Sequence, residues 1–337
     1  MRYRLRFWAE NVPPAEIVDR AMPLLVEYSA GIACAVFSES LHDENARAFR
    51  AIKEAGVELT YWPLLSPENG YFPGEKNVPD FTQLVHRVVG WAGDNGIMPD
   101  MIAVDQELPF DQMVQLVEEG TGSKSKALAA AGILHRNRDR QSYLKAKAEL
   151  VELDGWIKAR GVKTLSAVLP WVALELEGDG EMIQDMMETP VSGVAWDIIS
   201  PMMYVSMLTG MSGGLISTRD ANWLVFDTCL RLRTGHPRSA GVSLGVTGTG
   251  VLGNEPTFSN PGELITGVEA ALAAGVRDIS IYNLEGVISR EDPRAWLEAL
   301  RKARPRVPPR SRKVDLVLAA ARNIYRPLAG ITRRPQP

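Results

Sequence analysis

Residues 100–107 read D-M-I-A-V-D-Q-E, an apolar run closed by two carboxylates, Asp105 and Glu107, that stand two positions apart. Gly96 and Pro99 come just before it, so the run reads as a buried strand opening into a loop. Side chains alternate along a strand, which places Asp105 and Glu107 on one face and Val104 and Gln106 on the other. Two acids on one face at a strand's end raise each other's pKa by repulsion, and burial raises both. A carboxyl group that keeps its proton at neutral pH is what a general acid requires. The plain alternative is that the acids mark only the point where the chain returns to water.

Outward from this strand, short apolar runs alternate with segments of helical period along most of the chain, the signature of βαβ units and a parallel sheet. Strands are expected near residues 4–9, 32–37, 58–64, 101–105, 164–169, 198–205, 240–244 and 278–282. Helices are expected over 14–28, 44–55, 79–95, 142–160, 222–234 and 261–274, and the pairs Ala55-Gly56, Arg160-Gly161 and Ala274-Gly275 mark helix ends. Eight strands interleaved with helices predict an α/β fold of the (β/α)8, or TIM, barrel type, for which ~250 residues suffice. A doubly wound open sheet is the alternative, but the first strand–helix turn, A-E-N-V-P-P, lacks the glycine-rich fingerprint of dinucleotide-binding sheets. The 337 residues thus divide into a barrel over 1–303 and a C-terminal extension over 304–337.

Charge separates these two parts. Residues 301–337 hold eleven Lys/Arg and one acid, Asp315, whereas the first 300 hold 26 basic and 40 acidic residues. An acidic body argues against nucleic acid as partner, because phosphate contacts need clustered Lys and Arg. The extension begins R-P-R-V-P-P-R-S-R-K, a proline-rich basic linker, and continues into residues 314–326, which have the pattern of a short amphipathic helix. That helix is expected either to fold back onto the barrel or to make a weak contact with a membrane surface or a partner. Cys34 and Cys229 form no C-x-x-C pair, which predicts neither a metal cluster nor a disulfide framework. The N-terminal M-R-Y-R-L-R-F-W-A-E alternates Arg with apolar residues, so it reads as a first strand rather than a signal peptide, and a cytoplasmic location is expected.

Chemistry in a barrel sits at the C-terminal ends of the strands and in the loops that follow. Those positions hold Trp8 and Glu10 after strand 1, Trp62, Tyr71 and Phe72 after strand 3, and Asp105 and Glu107 after strand 4. Further on come Trp171, Glu175 and Glu177, then Tyr204, then the glycine-rich G-V-T-G-T-G-V-L-G of 245–253, and finally Tyr282, Asn283 and Glu285. Aromatic faces and carboxylates suit sugars, whose rings stack and whose hydroxyls take hydrogen bonds, so a carbohydrate is the expected partner. Each residue also has a structural alternative: Trp62 and Trp171 as packing, Glu175 and Glu177 as a solvated rim, the glycines as a loop or a phosphate cradle without a lysine. The four histidines, His42, His86, His135 and His236, show no metal-ligand spacing, and no G-x-S-x-G elbow occurs. Neither a metal nor a cofactor is expected.

Three segments resemble the family 18 glycoside hydrolases, the chitinases and their relatives. Strand 4 of that family carries D-x-x-D-x-D-x-E; Asp100, Asp105 and Glu107 match it, and Ala103 replaces the second Asp. Residues Asp197 to Ser206 resemble the family's M-x-Y-D strand through Met202 and Tyr204, with Val205 in place of the Asp, and I-S-I-Y-N-L-E-G-V resembles its eighth strand with Asn283 in place of a Trp. The resemblance implies cleavage of a glycosidic bond with Glu107 as general acid/base, Asp105 orienting the substrate's acetamido group and Tyr204 hydrogen-bonding it. Substrate contacts are expected, from their places at the strand ends, of Trp8, Glu10, Trp62, Tyr71, Trp171, Tyr282, Asn283 and Glu285. The three departures leave open an ordinary two-carboxylate hydrolase with Glu10 or Glu285 as second acid, and a barrel that binds carbohydrate without cleaving it.

Overall fold

The computed structural model describes residues 3–112, 137–176, 180–212, 214–250 and 253–320. Glu177, His135 and the part of the expected C-terminal helix beyond 320 lie outside the described residues. Eight parallel strands close into a TIM barrel in sequence order. They are β1 (Arg4–Ala9), β2 (Gly31–Val36), β3 (Leu59–Pro63), β4 (Met101–Gln106), β5 (Lys163–Val168), β6 (Ile198–Tyr204), β7 (Gly241–Gly245) and β8 (Asp278–Tyr282). Each lies within one residue of its expected ends. Closure runs through β1 and β8, where Arg4 pairs with Asp278 and Trp8 with Tyr282.

Alternation sorts the strand residues into two cores. Leu5, Phe7, Ile102 and Val104 face outward into the large core beneath the helices, whereas Trp8, Trp62, Met101, Ala103, Ala167 and Met202 fill the barrel. Asp105 shares the phase of Met101 and Ala103, so the same periodicity that builds the core turns it inward.

The helices follow the expected pattern at Asp43–Glu54, Val78–Asp94, Arg140–Lys158, Thr218–Gly235 and Pro261–Ala273, and a last one, Pro293–Lys302, closes the ring. Asp139, Ser217, Asn260 and Asp292 cap helix starts with their side chains. Gly56, Gly161 and Gly275 take φ of 76°, 76° and 92°, the left-handed conformation that stops a helix at little cost to glycine. The segment expected as one helix over 14–28 runs helical from Pro14 to Glu27, with a π-helical stretch at Ile17–Ala21 inside it. Pro23 follows that stretch and has no N–H to give the α-helical ladder.

The barrel's N-terminal end is plugged by charge. Arg6 is fully buried and donates to Glu58 at 2.7 Å, Asp278 at 3.1 Å and Ser280 at 3.3 Å. One layer higher, Trp8 Nε1 donates to Ser243 Oγ at 3.2 Å, and Ser243 Oγ lies 2.9 Å from Ser200 Oγ. Beyond the last helix, residues 312–320 form a helix that lies back on the barrel. Val314 and Leu318 are buried there with Leu174, and Trp223 Nε1 donates to Asp315 at 2.8 Å. Among the described residues no helix is long and apolar enough to cross a membrane.

Candidate active site

The open C-terminal end of the barrel holds a pocket lined by Trp8, Glu10, Trp62, Phe72, Asp105, Glu107, Ala167, Met202, Tyr204, Met207, Glu255 and Tyr282. β4 delivers Asp105, only 4% exposed, and the loop step after it delivers Glu107. Burial raises the Asp105 carboxyl well above the ordinary carboxylate range, and the charges of Glu107 and Glu10 add to it. The Glu107 carboxyl is pushed up to about 8, first by burial and then by Glu10. The repulsion expected from the strand pair is therefore shared by a third acid from β1.

Glu10 is held rather than free. Its Oε1 accepts from the Tyr71 hydroxyl at 2.7 Å and its Oε2 from the Tyr282 hydroxyl. Burial raises its pKa, the two tyrosine bonds lower it, and the charge of Glu255 raises it again. Tyr71 does not line the pocket itself; it reaches the site through Glu10. Tyr204 stacks on Tyr282 with ring centres 5.4 Å apart and planes at 28°. Burial raises the Tyr204 hydroxyl's pKa, and Asp105, Glu107 and Glu10 raise it further, so hydroxyl and carboxylates share one field. Trp8 and Trp62 meet edge to face at 4.9 Å and form the pocket's aromatic floor.

Three further residues expected to bind substrate do not line this pocket. Trp171 is 46% exposed on the helix Pro170–Glu175, because Pro170 starts that helix and ends the strand alternation of β5. Asn283 is fully buried, caps the helix Leu284–Ile288 by accepting from Gly286 N at 3.0 Å, and donates to Thr249 O at 3.2 Å. Glu285 accepts from the backbone N–H of Glu10 at 2.7 Å and of Asn11 at 2.6 Å, and so fixes the loop that carries Glu10. Glu175 is no solvated rim either, since its carboxylate accepts from the N–H groups of Met182, Ile183 and Gln184.

The glycines after β7 serve close approach. A Cβ at Gly250 would stand 1.9 Å from the Tyr282 hydroxyl and 3.1 Å from Glu10 Oε2, and one at Gly248 would stand 2.6 Å from Asn283 Oδ1. Only glycine lets this loop lie against the Tyr282–Glu10 pair. Its far end brings in Glu255, 8% exposed, which with Met207 was not among the expected site residues.

The pocket thus carries four carboxylates, and among the described residues lining it none is basic. Its free volume is about 70 Å³, against roughly 300–1,000 Å³ for clefts that enclose drug-sized ligands. Among the described residues no group of three or more His, Cys, Asp or Glu is placed to hold a metal ion.

The chain is similar in structure to the glycoside hydrolase domain of PgaB (BpsB) from Bordetella bronchiseptica, at 10% identity and TM-score 0.50 over 90% of this chain and 99% of that one. It is similar to the catalytic domain of β-amylase from Paenibacillus polymyxa, at 8% identity and TM-score 0.54 over 90% and 99% of the two chains. A third likeness is to the endo-β-mannanase/endo-β-glucanase of Prevotella bryantii, at 9% identity and TM-score 0.51 over 90% of this chain and 49% of that one. At such identities the likeness is one of fold. No family model and no curated relative matches the sequence.

Proposed function

We propose that this chain is a glycoside hydrolase that cleaves a sugar's glycosidic bond with Glu107 as general acid/base. The observation that carries this reading is the pairing of Glu107 and Asp105 on one inward face at the barrel mouth, with the Glu107 carboxyl pushed to about 8. Such a group holds its proton at neutral pH yet releases it readily to a developing alkoxide. In the reaction the Glu107 proton passes to the glycosidic oxygen as the C1–O bond breaks and its electron pair leaves with that oxygen. Water then adds to C1, and its proton returns to Glu107.

The family 18 resemblance supports the detailed assignment, since four of the residues that carry it, Asp105, Glu107, Met202 and Tyr204, line the same pocket. In that scheme Asp105 and Tyr204 hold an acetamido group of the substrate against the anomeric carbon. A second reading, in which Glu10 is the partner carboxylate of an ordinary two-acid hydrolase, is favoured by the two tyrosine hydroxyls that fix Glu10 in the mouth. In both, residues 1–303 are the catalytic unit and 304–337 an appended extension.

A panel of oligosaccharides incubated with the wild type, Glu107→Gln and Glu10→Gln tests this. The proposal expects cleavage that Glu107→Gln abolishes. Loss in Glu10→Gln as well selects the two-acid scheme, and retention there selects substrate assistance. Binding without cleavage by the wild type would leave a carbohydrate-binding barrel and overturn the proposal.

A further inference from the structure

Acids at the two ends of this barrel are treated differently. At the N-terminal end Glu58 and Asp278 are matched by Arg6 and Arg4. At the mouth Glu10, Asp105, Glu107 and Glu255 share one pocket, and no described residue lining that pocket supplies a cation. Two of these acids also have an oxygen without any donor. Asp105 Oδ1 and Glu255 Oε2 are buried and have no hydrogen-bond partner among the described residues, on side chains that are 4% and 8% exposed. A buried acceptor with no donor is costly, and a buried negative charge with no counter-charge is costlier.

We infer that the sugar taken by this mouth bears a free ammonium group, that is, an amino sugar without an N-acyl substituent. The inference rests on the hydrolase reading in its two-acid form, because a sugar without an N-acyl group has no acetamido oxygen to attack the anomeric carbon. A neutral sugar brings hydroxyl donors to Asp105 and Glu255 but no counter-charge, so the acids relieve their repulsion only by keeping protons, the direction in which Glu10, Asp105 and Glu107 are all shifted. An N-acetyl group brings one N–H and no charge. An ammonium brings three donors and a unit positive charge into a pocket walled by Trp8, Trp62 and Tyr282, whose ring faces also attract cations. Its arrival stabilises the ionised carboxylates, so bound ligand draws protons off the cluster. The pH optimum for an ammonium-bearing substrate therefore lies below that for a neutral one of the same linkage.

The test compares β-1,4-linked tetramers of glucosamine, N-acetylglucosamine and glucose by calorimetry near pH ~6, where an amine keeps its proton. Cleavage is scored separately by chromatography of the same samples. The glucosamine tetramer should bind at least about tenfold more tightly than the other two, with the advantage shrinking as salt is added. Glu255→Gln removes a charge that makes no native hydrogen bond through Oε2, so it should melt as the wild type does while losing most of that advantage. Equal affinities, a preference for the N-acetylated tetramer, or no binding of any tetramer would overturn the inference. Cleavage of a neutral or N-acetylated tetramer without ammonium preference would overturn it and leave the hydrolase reading standing. Selective binding of the glucosamine tetramer without cleavage of any would uphold it and sink the hydrolase reading instead.

Discussion

The Tyr71 hydroxyl donates to Glu10 Oε1 at 2.7 Å across 61 residues of chain, tying the loop after β3 to the loop after β1 at the barrel mouth. With the Tyr282 bond to the other oxygen, it offsets part of the burial that raises the Glu10 pKa. Tyr71→Phe removes a bond that favours the ionised carboxylate, so the Glu10 pKa should rise further. If Glu10 acts ionised, the acid limb of the kcat/KM profile shifts to higher pH in Tyr71→Phe. An unmoved acid limb would exclude Glu10 from the titrating machinery.

Tyr204 keeps its place by stacking on Tyr282, and its hydroxyl makes no hydrogen bond among the described residues. Tyr204→Phe should therefore leave stability within about 0.5 kcal/mol of wild type. Turnover should fall by roughly 10²-fold, the usual loss when one preorganised donor to a reacting group is deleted. Denaturant melts beside kcat measurements check both halves; a variant with wild-type turnover would return Tyr204 to a purely structural role.

Arg6 is the fully buried counter-charge of the barrel's other end, and Arg6→Met leaves Asp278, whose side chain is 8% exposed, with Arg4 alone at 3.0 Å. Loss of one partner of a buried pair costs about 3–5 kcal/mol, less whatever Asp278 and the half-open Glu58 recover from Arg4 and water. Urea unfolding should show this loss, and the double variant Arg6→Met/Asp278→Asn should regain part of it. A single variant as stable as wild type would mean that the plug contributes nothing.

Stability should fall as pH rises. Glu10, Asp105 and Glu107 all bind protons more tightly in the folded protein than in the unfolded chain. For Glu107 the contribution is fully present below 4.5, its ordinary value, and lost as pH rises through about 8. Glu75, pushed to about 9 by burial and then by Asp185 and Glu188, acts in the same direction away from the mouth. The melting temperature should decline across this window, and Glu107→Gln should flatten the decline. A slope unchanged by that substitution would show that Glu107 is not strained by its ionisation.

The strands were legible because one face of each had to be apolar: the phase of Met101 and Ala103 alone turns Asp105 inward, and Val104 confirms it from the other side. Helix ends were legible where glycine takes a left-handed turn, as at Gly56 and Gly275. Alternation carries no information once a strand stops. Pro170 and Asn283 each begin a helix, so the side chains beyond them follow a different period, and Trp171 and Glu285 do not line the pocket. Glu255 lay beyond reach for the opposite reason: a loop whose path is set by the contacts of Gly248 and Gly250 brings it back to the mouth, and those contacts are with distant residues.

The most direct measurement of the central claim compares two substrates of the proposed enzyme that differ only in leaving group, one a sugar hydroxyl and one an activated aryl oxide. A general acid matters for the first and little for the second, because the aryl oxide departs without a proton. Glu107→Gln keeps the side chain's shape and removes that proton, so kcat for the sugar leaving group should drop by about 10²–10⁴-fold while the formation of the first intermediate from the aryl substrate stays near wild type. Equal losses on both substrates, or none on either, would contradict Glu107 as the proton donor.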